Sequence, residues 1–174
     1  AGQKILILVK PDFHELYSLS LVVQDIDPAY TLGEWALRRR AILLRLEQEG
    51  ILELNKELDW PRLPQRLAVI SSPTAAGYED FMHQLQNNSP GFVFYTCLFP
   101  ALMQGAQAKS SILGALDRIL EHQELFDLVL LIRGGGATTD LSCFDNYELA
   151  SAMAQFPLPL LSGIGHERDR SVAD

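Results

Sequence analysis

Short apolar runs alternate with helical stretches from Arg66 to the end of the chain, and this alternation constrains the fold more than any other feature of the sequence. Strands are predicted over Leu67–Ser71, Phe92–Leu98, Leu128–Ile132 and Leu158–Ser162, and helices over Thr74–Gln86, Ala106–Glu121 and Asp145–Ala154. Such alternation favours right-handed crossovers between parallel strands, with helices on both faces of the sheet. We therefore predict a Rossmann-like, three-layer α/β domain with a parallel sheet of about four strands.

The first thirty residues follow a different pattern, which is typical of β structure. Ile5–Val9 and Leu19–Ile26 are strand-like runs, and the second places Ser20 and Gln24 among apolar neighbours. Two strands alone are marginal in water. Residues 1–30 are therefore predicted to be the end of a β domain or an edge added to the following domain.

One long helix is predicted between these two regions. Thr31 is followed three residues later by Glu34, which is the spacing of a capping box. Helix-forming residues continue to Glu49, and Gly50 then favours a C-terminal stop.

The chain is acidic, since 14 Lys and Arg against 22 Asp and Glu among 174 residues leave a formal charge of −8. This excess argues against unspecific binding of nucleic acid or membranes by the whole surface, but it does not exclude a local site. Residues 81–116 contain neither Asp nor Glu. The apolar runs are too short to cross a bilayer, and we expect a cytoplasmic protein without a membrane partner. Cys97 and Cys143 form no CxxC pair and are predicted to be buried thiols.

Polar and glycine-rich segments follow the four predicted strands of the α/β region. In open parallel sheets, ligands bind beyond the carboxyl ends of the strands, so we expect these segments to share one edge. The segments are Ser71–Thr74, Pro100–Gly105, Arg133–Gly136 and Gly163–Asp169.

The segment that begins at Arg133 is the most informative of the four, because Gly134, Gly135 and Gly136 follow it. A backbone without side chains lets several N–H groups approach an anion, while a guanidinium binds phosphate in a bidentate manner. The sequence therefore predicts a phosphate site. The other interpretation is a tight loop that needs positive φ angles.

Ser72 and Thr74 are hydroxyl residues that precede a predicted helix. They either cap the helix or bind a phosphate at its N-terminus, and the sequence leaves both interpretations open.

His166 and Asp169 stand three residues apart in a segment that also contains Gly163 and Gly165. An imidazole titrates near neutral pH, and an adjacent carboxylate can orient it and stabilise its charged form. We therefore predict a role in proton transfer at the functional edge, although a lone loop histidine is more often structural. Gly165 is included among the predicted phosphate-binding residues.

Three further carboxylates, Asp80, Asp140 and Asp145, could fold towards the same edge. Together they make a metal site conceivable, because carboxylate oxygens bind hard cations. Each of them alone is more often a helix cap or a surface charge.

Four motifs in this order resemble the large subunit of exodeoxyribonuclease VII. They are Ser72-Pro73-Thr74 with Ala76 and Asp80, Pro100-Ala101 with Gln104-Gly105, Arg133 and its three glycines followed by Asp140-Leu141 and Phe144, and Gly163-Ile164-Gly165-His166-Glu167-x-Asp169 with Asp174. The resemblance runs over the whole chain. Residues 1–30 are similar to the last strands of that family's N-terminal oligonucleotide-binding (OB-fold) domain, and residues 31–174 are similar to its catalytic domain.

This resemblance implies an enzyme that hydrolyses single-stranded DNA from either end into oligonucleotides. It places Asp80, Arg133, His166 and Asp169 at positions expected to be catalytic. It implies no required cofactor and no resident metal, and it leaves the use of Mg²⁺ open. It also implies a small-subunit partner, which binds a helical region that this chain does not contain, so the isolated chain is expected to bind DNA weakly and to be inactive.

Two other functions fit the same residues. One is a non-catalytic phosphate- or nucleotide-binding module, because glycine-rich loops at strand ends serve many ligands. The other is a metal-dependent phosphohydrolase built on Asp80, Asp140 and His166.

Overall fold

The computed structural model describes residues 6–14, 18–133, 143–164 and 171–173. The chain divides into two compact units, residues 1–41 and 42–174. In the first unit, strands β1 (Leu6–His14) and β2 (Ser18–Asp27) pair antiparallel, so the predicted β segment is confirmed. Most large apolar side chains of this hairpin are exposed. Its origin in an OB-fold domain stays a prediction.

Helix α1 (Pro28–Gln48) begins in the first unit and ends in the second. The predicted start at Thr31 is three residues too late, because the fixed φ of proline suits the first helical position, where its missing N–H costs nothing. The end of the helix agrees with the prediction. Gly50 has a φ of +69°, and the N–H of Ile51 donates to the carbonyl of Leu46 at 3.0 Å.

The second unit contains the predicted α/β domain. Its four strands are β3 (Arg66–Ser71), β4 (Tyr95–Pro100), β5 (Leu128–Arg133) and β6 (Leu160–Ile164). They are all parallel and lie in the order β4-β3-β5-β6. The three connecting helices are α2 (Ala76–Gln86), α3 (Ala108–Leu120) and α4 (Tyr147–Ala154). No helix in the described part of the chain is long and apolar enough to span a membrane.

Alternate residues of the central strands pack into two separate apolar layers. Leu67 and Val69 of β3 lie in a cluster with Phe81 of α2. Ala68 and Ile70 lie in the other cluster, which contains buried residues of α3 and α4. Both faces of β3 and β5 are therefore covered, which explains why these strands read as continuous apolar runs.

Strand β4 begins three residues later than predicted, because the side chain of Asn88 holds the preceding residues in a turn. Its Nδ2 donates to the carbonyls of Leu85 (2.7 Å) and Phe92 (2.8 Å), and its Oδ1 accepts from the N–H of Phe92 (2.8 Å). Gly91 within this turn has a φ of +73°. Because β4 is an edge strand, Cys97 is exposed, and the prediction that it is buried was wrong; Cys143 is half-buried.

Candidate functional site

The carboxyl ends of β3 and β5 form the topological switch point of the sheet. The chain leaves β3 towards β4 on one side of the sheet and then crosses to β5 on the other side. Such a switch point, where the connections leave in opposite directions, is the usual ligand position in open parallel sheets. The predicted phosphate-binding residues Ser72 and Thr74 follow β3, and Arg133 ends β5.

Ser71 connects the strand ends at this point and is completely buried. The parallel pairing of β3 with β5 reaches Ile70 and Leu131, and one residue further the Ser71 hydroxyl donates to the carbonyl of Ile132 at 2.7 Å. The carbonyl of Ser71 accepts from the N–H of Ala101, just after β4, at 3.0 Å. Sequence reasoning placed Ser71 at the end of the predicted strand and at the start of the following loop, but gave it no role. The signal for such a role is a hydroxyl residue that ends an apolar strand.

Arg133 is the last residue of β5 and is 9% exposed. It pairs with Ile164 at the end of β6, so two neighbouring strands end here, at the carboxyl edge of the sheet. Burial of a charged side chain is costly unless the charge is compensated, so a guanidinium is seldom found in such a place for packing alone. Arg133 was predicted to begin the loop after this strand, and the structure makes it the last residue of the strand at the predicted edge. Gly134, Gly135, Gly136 and Gly165 lie outside the described residues.

Ser72 and Thr74 form the turn that leads from β3 into α2. The carbonyl of Ser72 accepts from the N–H of Ala75 at 3.0 Å, and the two hydroxyl oxygens of Ser72 and Thr74 lie 3.4 Å apart. Helix α2 begins at Ala76 with Ala75 at the N-cap position, where no side chain accepts a hydrogen bond. Neither hydroxyl therefore caps the helix, so the predicted helix start at Thr74 was two residues too early. Both hydroxyls lie at the carboxyl edge of the sheet, within hydrogen-bonding distance of each other.

Asp80 lies in the second turn of α2, on the helix that leaves this edge, and is exposed. His166, Asp169 and Asp140 lie outside the described residues. Ile164, the last described residue before His166, is held beside Arg133 by strand pairing.

The third candidate carboxylate has a structural role. Oδ1 of Asp145 accepts from the N–H of Val172 at 2.9 Å and so fixes the chain just after the predicted catalytic segment. The neighbouring Asn146 caps α4, since its side chain accepts from the N–H groups of Glu148 (3.0 Å) and Leu149 (3.3 Å). Both residues stabilise the segments around the site.

The opposite, amino-terminal edge of the sheet is closed by a clamp between Arg66 and Asp127. Oδ2 of Asp127 accepts from the N–H groups of Gln65 (3.0 Å) and Arg66 (2.9 Å), and Oδ1 accepts from Nε of Arg66 (2.9 Å). The hydrogen bonds from the Arg66 side chain lower the pKa of Asp127, and those from the two backbone N–H groups lower that pKa further. Every oxygen of this carboxylate is thus used inside the fold.

Comparison with known proteins agrees with the motifs. Residues 51–174 match the family model described as exonuclease VII, large subunit. The chain is similar to the exodeoxyribonuclease 7 large subunit of Deinococcus radiodurans, with 41% identity over 177 residues, which cover 100% of this chain and 42% of that protein. The same-named protein of Cyanothece sp. is 41% identical over 142 residues, covering 82% of this chain and 33% of that protein. The same-named protein of Delftia acidovorans is 36% identical over 172 residues, covering 90% of this chain and 38% of that protein. The chain thus spans less than half the length of these relatives.

Proposed function

Because this chain belongs to the exonuclease VII large-subunit family, we propose that it carries the catalytic domain of a nuclease that hydrolyses single-stranded DNA from either end into oligonucleotides. One observation carries the proposal. The largely buried Arg133 and the hydroxyls of Ser72 and Thr74 lie after neighbouring strands, at the switch point of a parallel sheet. That arrangement suits an anionic group of the size of a phosphodiester.

In this proposal the scissile phosphate lies at the ends of β3 and β5. The Arg133 guanidinium and the backbone N–H groups of Gly134, Gly135 and Gly136 neutralise the charge that grows on the phosphoryl oxygens. Ser72 and Thr74 donate hydrogen bonds to the same phosphate or to its neighbour. Because Arg133 is mostly withdrawn from water, its charge is less screened than that of a surface arginine.

Hydrolysis also requires proton transfer. The attacking water gives up a proton as its oxygen forms a bond to phosphorus, the bond from phosphorus to the leaving sugar oxygen breaks, and that oxygen takes up a proton. We assign this transfer to His166 as general acid or base, with Asp169 as the carboxylate that orients it. Asp80 is assigned to the positioning of the attacking water.

The remaining parts of the proposal rest on the family. The enzyme requires no cofactor, acts with a small subunit, and meets its single-stranded DNA in the cytoplasm. Residues 1–30 belong to an OB-fold domain, and residues 31–174 form the catalytic domain. The exposed apolar side chains of β1 and β2 support the first assignment, because a hairpin of two strands cannot bury them by itself.

The test uses the complete large subunit with its small subunit and an end-labelled single-stranded oligonucleotide, with and without EDTA. We expect wild-type cleavage in EDTA and a loss of about 100-fold or more for His166→Ala and Arg133→Ala. His122→Ala is the matched control, since His122 is exposed before the 3₁₀ turn at Gln123–Leu125, away from the carboxyl edge.

Three results would redirect the assignment. Wild-type cleavage by either variant would contradict the catalytic roles. Complete loss of cleavage in EDTA would favour the metal-dependent phosphohydrolase. A melting temperature raised by adenine nucleotides and unchanged by short single strands would favour the nucleotide-binding module.

A further inference from the structure

Leu102 is an apolar side chain that projects from the loop after β4, at the same edge of the sheet as Arg133. It is 52% exposed, whereas its neighbours Ala101 and Met103 are buried. A single exposed leucine is ordinary on a protein surface. What distinguishes Leu102 is the rigidity and the position of the backbone that carries it.

Hydrogen bonds hold the loop around Leu102 on both sides. The N–H of Leu102 donates to the hydroxyl oxygen of Ser111 at 2.9 Å. The carbonyl of Pro100 accepts from Nη2 of Arg118 at 3.2 Å, and the carbonyl of Met103 accepts from the thiol of Cys143 at 3.9 Å. With both neighbours anchored in the core, the Leu102 side chain is fixed facing outwards.

Ser71 links this loop to the proposed phosphate site. Its carbonyl accepts from the N–H of Ala101, and its hydroxyl donates to the carbonyl of Ile132. Leu102 directly follows Ala101 in the chain, and Arg133 directly follows Ile132. Since β4 and β5 both neighbour β3, their ends lie about 10 Å apart, which is two strand spacings. A dinucleotide spans that separation.

A nucleobase is the occupant that fits these surroundings. Its faces are apolar enough to pack against an aliphatic side chain, as leucine and isoleucine do when they contact bases in other DNA-binding proteins. No Asp or Glu occurs between residues 81 and 116, so the segment that carries Leu102 presents no negative charge to a DNA backbone. A partner protein would need a continuous apolar area, which one leucine between buried neighbours does not provide.

We propose that Leu102 packs against a base of the single strand whose phosphate is bound at Arg133, without reading the identity of the base. This inference rests on the proposed function and adds to it a contact that distinguishes a strand with bases from a bare sugar–phosphate chain. Arg133 then binds the phosphate backbone of the DNA, and Leu102 contacts its bases.

The experiment compares two unlabelled competitors of equal length in the cleavage of a labelled single strand by the complete enzyme. One competitor is an oligothymidylate, and the other is an oligomer of abasic residues with the same phosphates. We expect Leu102→Ala to raise the inhibition constant of the thymidylate about three- to tenfold and to leave that of the abasic oligomer unchanged. Leu125→Ala is the matched control, because Leu125 is 54% exposed and lies before β5, at the opposite edge.

The outcomes separate this inference from the proposed function. If Leu102→Ala weakens both competitors equally, or affects the thymidylate no more than Leu125→Ala does, the base contact is overturned while the nuclease assignment stands. Equal inhibition of the wild type by the two competitors would overturn the contact as well. If the wild type cleaves no single strand, the proposed function fails first, and this inference fails with it.

Discussion

The polar side chains at the two edges of the parallel sheet differ in how completely the fold uses them. At the amino-terminal edge, Arg66 and Asp127 bind each other, and the carboxylate also takes two backbone N–H groups. At the carboxyl edge, the hydroxyls of Ser72 and Thr74 contact each other at 3.4 Å and leave α2 without a side-chain cap. Arg66 and Asp127 thus satisfy each other within the fold, whereas in the proposed function the hydroxyls of Ser72 and Thr74 bind a phosphate.

The polarity of the connecting helices reinforces this difference. Helices α2 and α3 each begin after a strand ends, so their N-termini lie towards the carboxyl edge. The partial positive charge of a helix N-terminus favours an anion there. The overall charge of −8 does not describe the field at that edge, so it does not contradict the proposed binding of DNA there.

The largest effect on kcat among the exposed helix carboxylates is expected for Asp80→Asn. If Asp80 positions the attacking water, kcat falls about 100-fold, while the free energy of unfolding changes little because the side chain is exposed. Asp117→Asn, on an exposed position of α3, is the control and should keep wild-type kcat. A normal kcat in Asp80→Asn would remove this residue from the site.

A smaller loss is expected for Ser71→Ala, which removes the hydroxyl between β3 and β5. We expect kcat to fall about tenfold with KM little changed, because the Ile132–Arg133 peptide loses its fixed position. The free energy of unfolding should fall by about 1–2 kcal/mol for the lost buried hydrogen bond. Ser110→Ala, whose hydroxyl donates to the carbonyl of Gln107 on the surface, is the control. If Ser71→Ala lowers stability and leaves kcat intact, the serine is purely structural.

At the other edge, Asp127→Ala should change stability and not catalysis. We expect the free energy of unfolding to fall by about 1–2 kcal/mol at pH 7, measured by urea titration, with wild-type kcat for the folded enzyme. Altered kcat in a fully folded variant would contradict the separation of the two edges.

The smallest expected effect is the pH dependence of the stability difference between the wild type and Asp127→Ala. Hydrogen bonds from Arg66 lower the folded-state pKa of Asp127, so its contribution to stability is present above the unfolded pKa and is lost as the pH falls through the folded value. The gap between wild type and Asp127→Ala should therefore close as the pH drops below about 4. A constant gap down to acid pH would show that the charge of Asp127 contributes nothing.

The sequence predicted the architecture well, because the buried strands are short apolar runs whose type does not depend on distant partners. Leu128–Ile132 and Leu67–Ser71 were each placed within one residue of the observed strand. The start of β4 was missed, because Asn88 holds Phe92 in a turn through side-chain hydrogen bonds that propensities do not reveal.

The site was only partly predictable for the same reason. Arg133, Ser72 and Thr74 were placed at strand ends from the sequence, because glycines and hydroxyls at such ends have a local pattern, and their role in a site stays a prediction. Ser71 and the Arg66–Asp127 clamp were not, since each joins residues 61 positions apart. Asp145, which the sequence suggested could fold towards the same edge, accepts from the N–H of Val172, a partner 27 positions away. Long-range partners of this kind follow from strand order, which the local sequence does not specify.

The most direct test of the account is a paired measurement on Arg133→Gln and Arg66→Gln, with kcat on single-stranded DNA and the urea midpoint recorded for both. Arg133 ends β5 and Arg66 begins β3, so each variant removes one guanidinium from one edge of the same sheet. We predict that Arg133→Gln loses about 100-fold or more in kcat while enough protein stays folded to measure it, and that Arg66→Gln unfolds at lower urea with wild-type kcat. Equal losses of kcat in the two variants, or an active Arg133→Gln enzyme, would contradict the assignment of catalysis to the carboxyl edge.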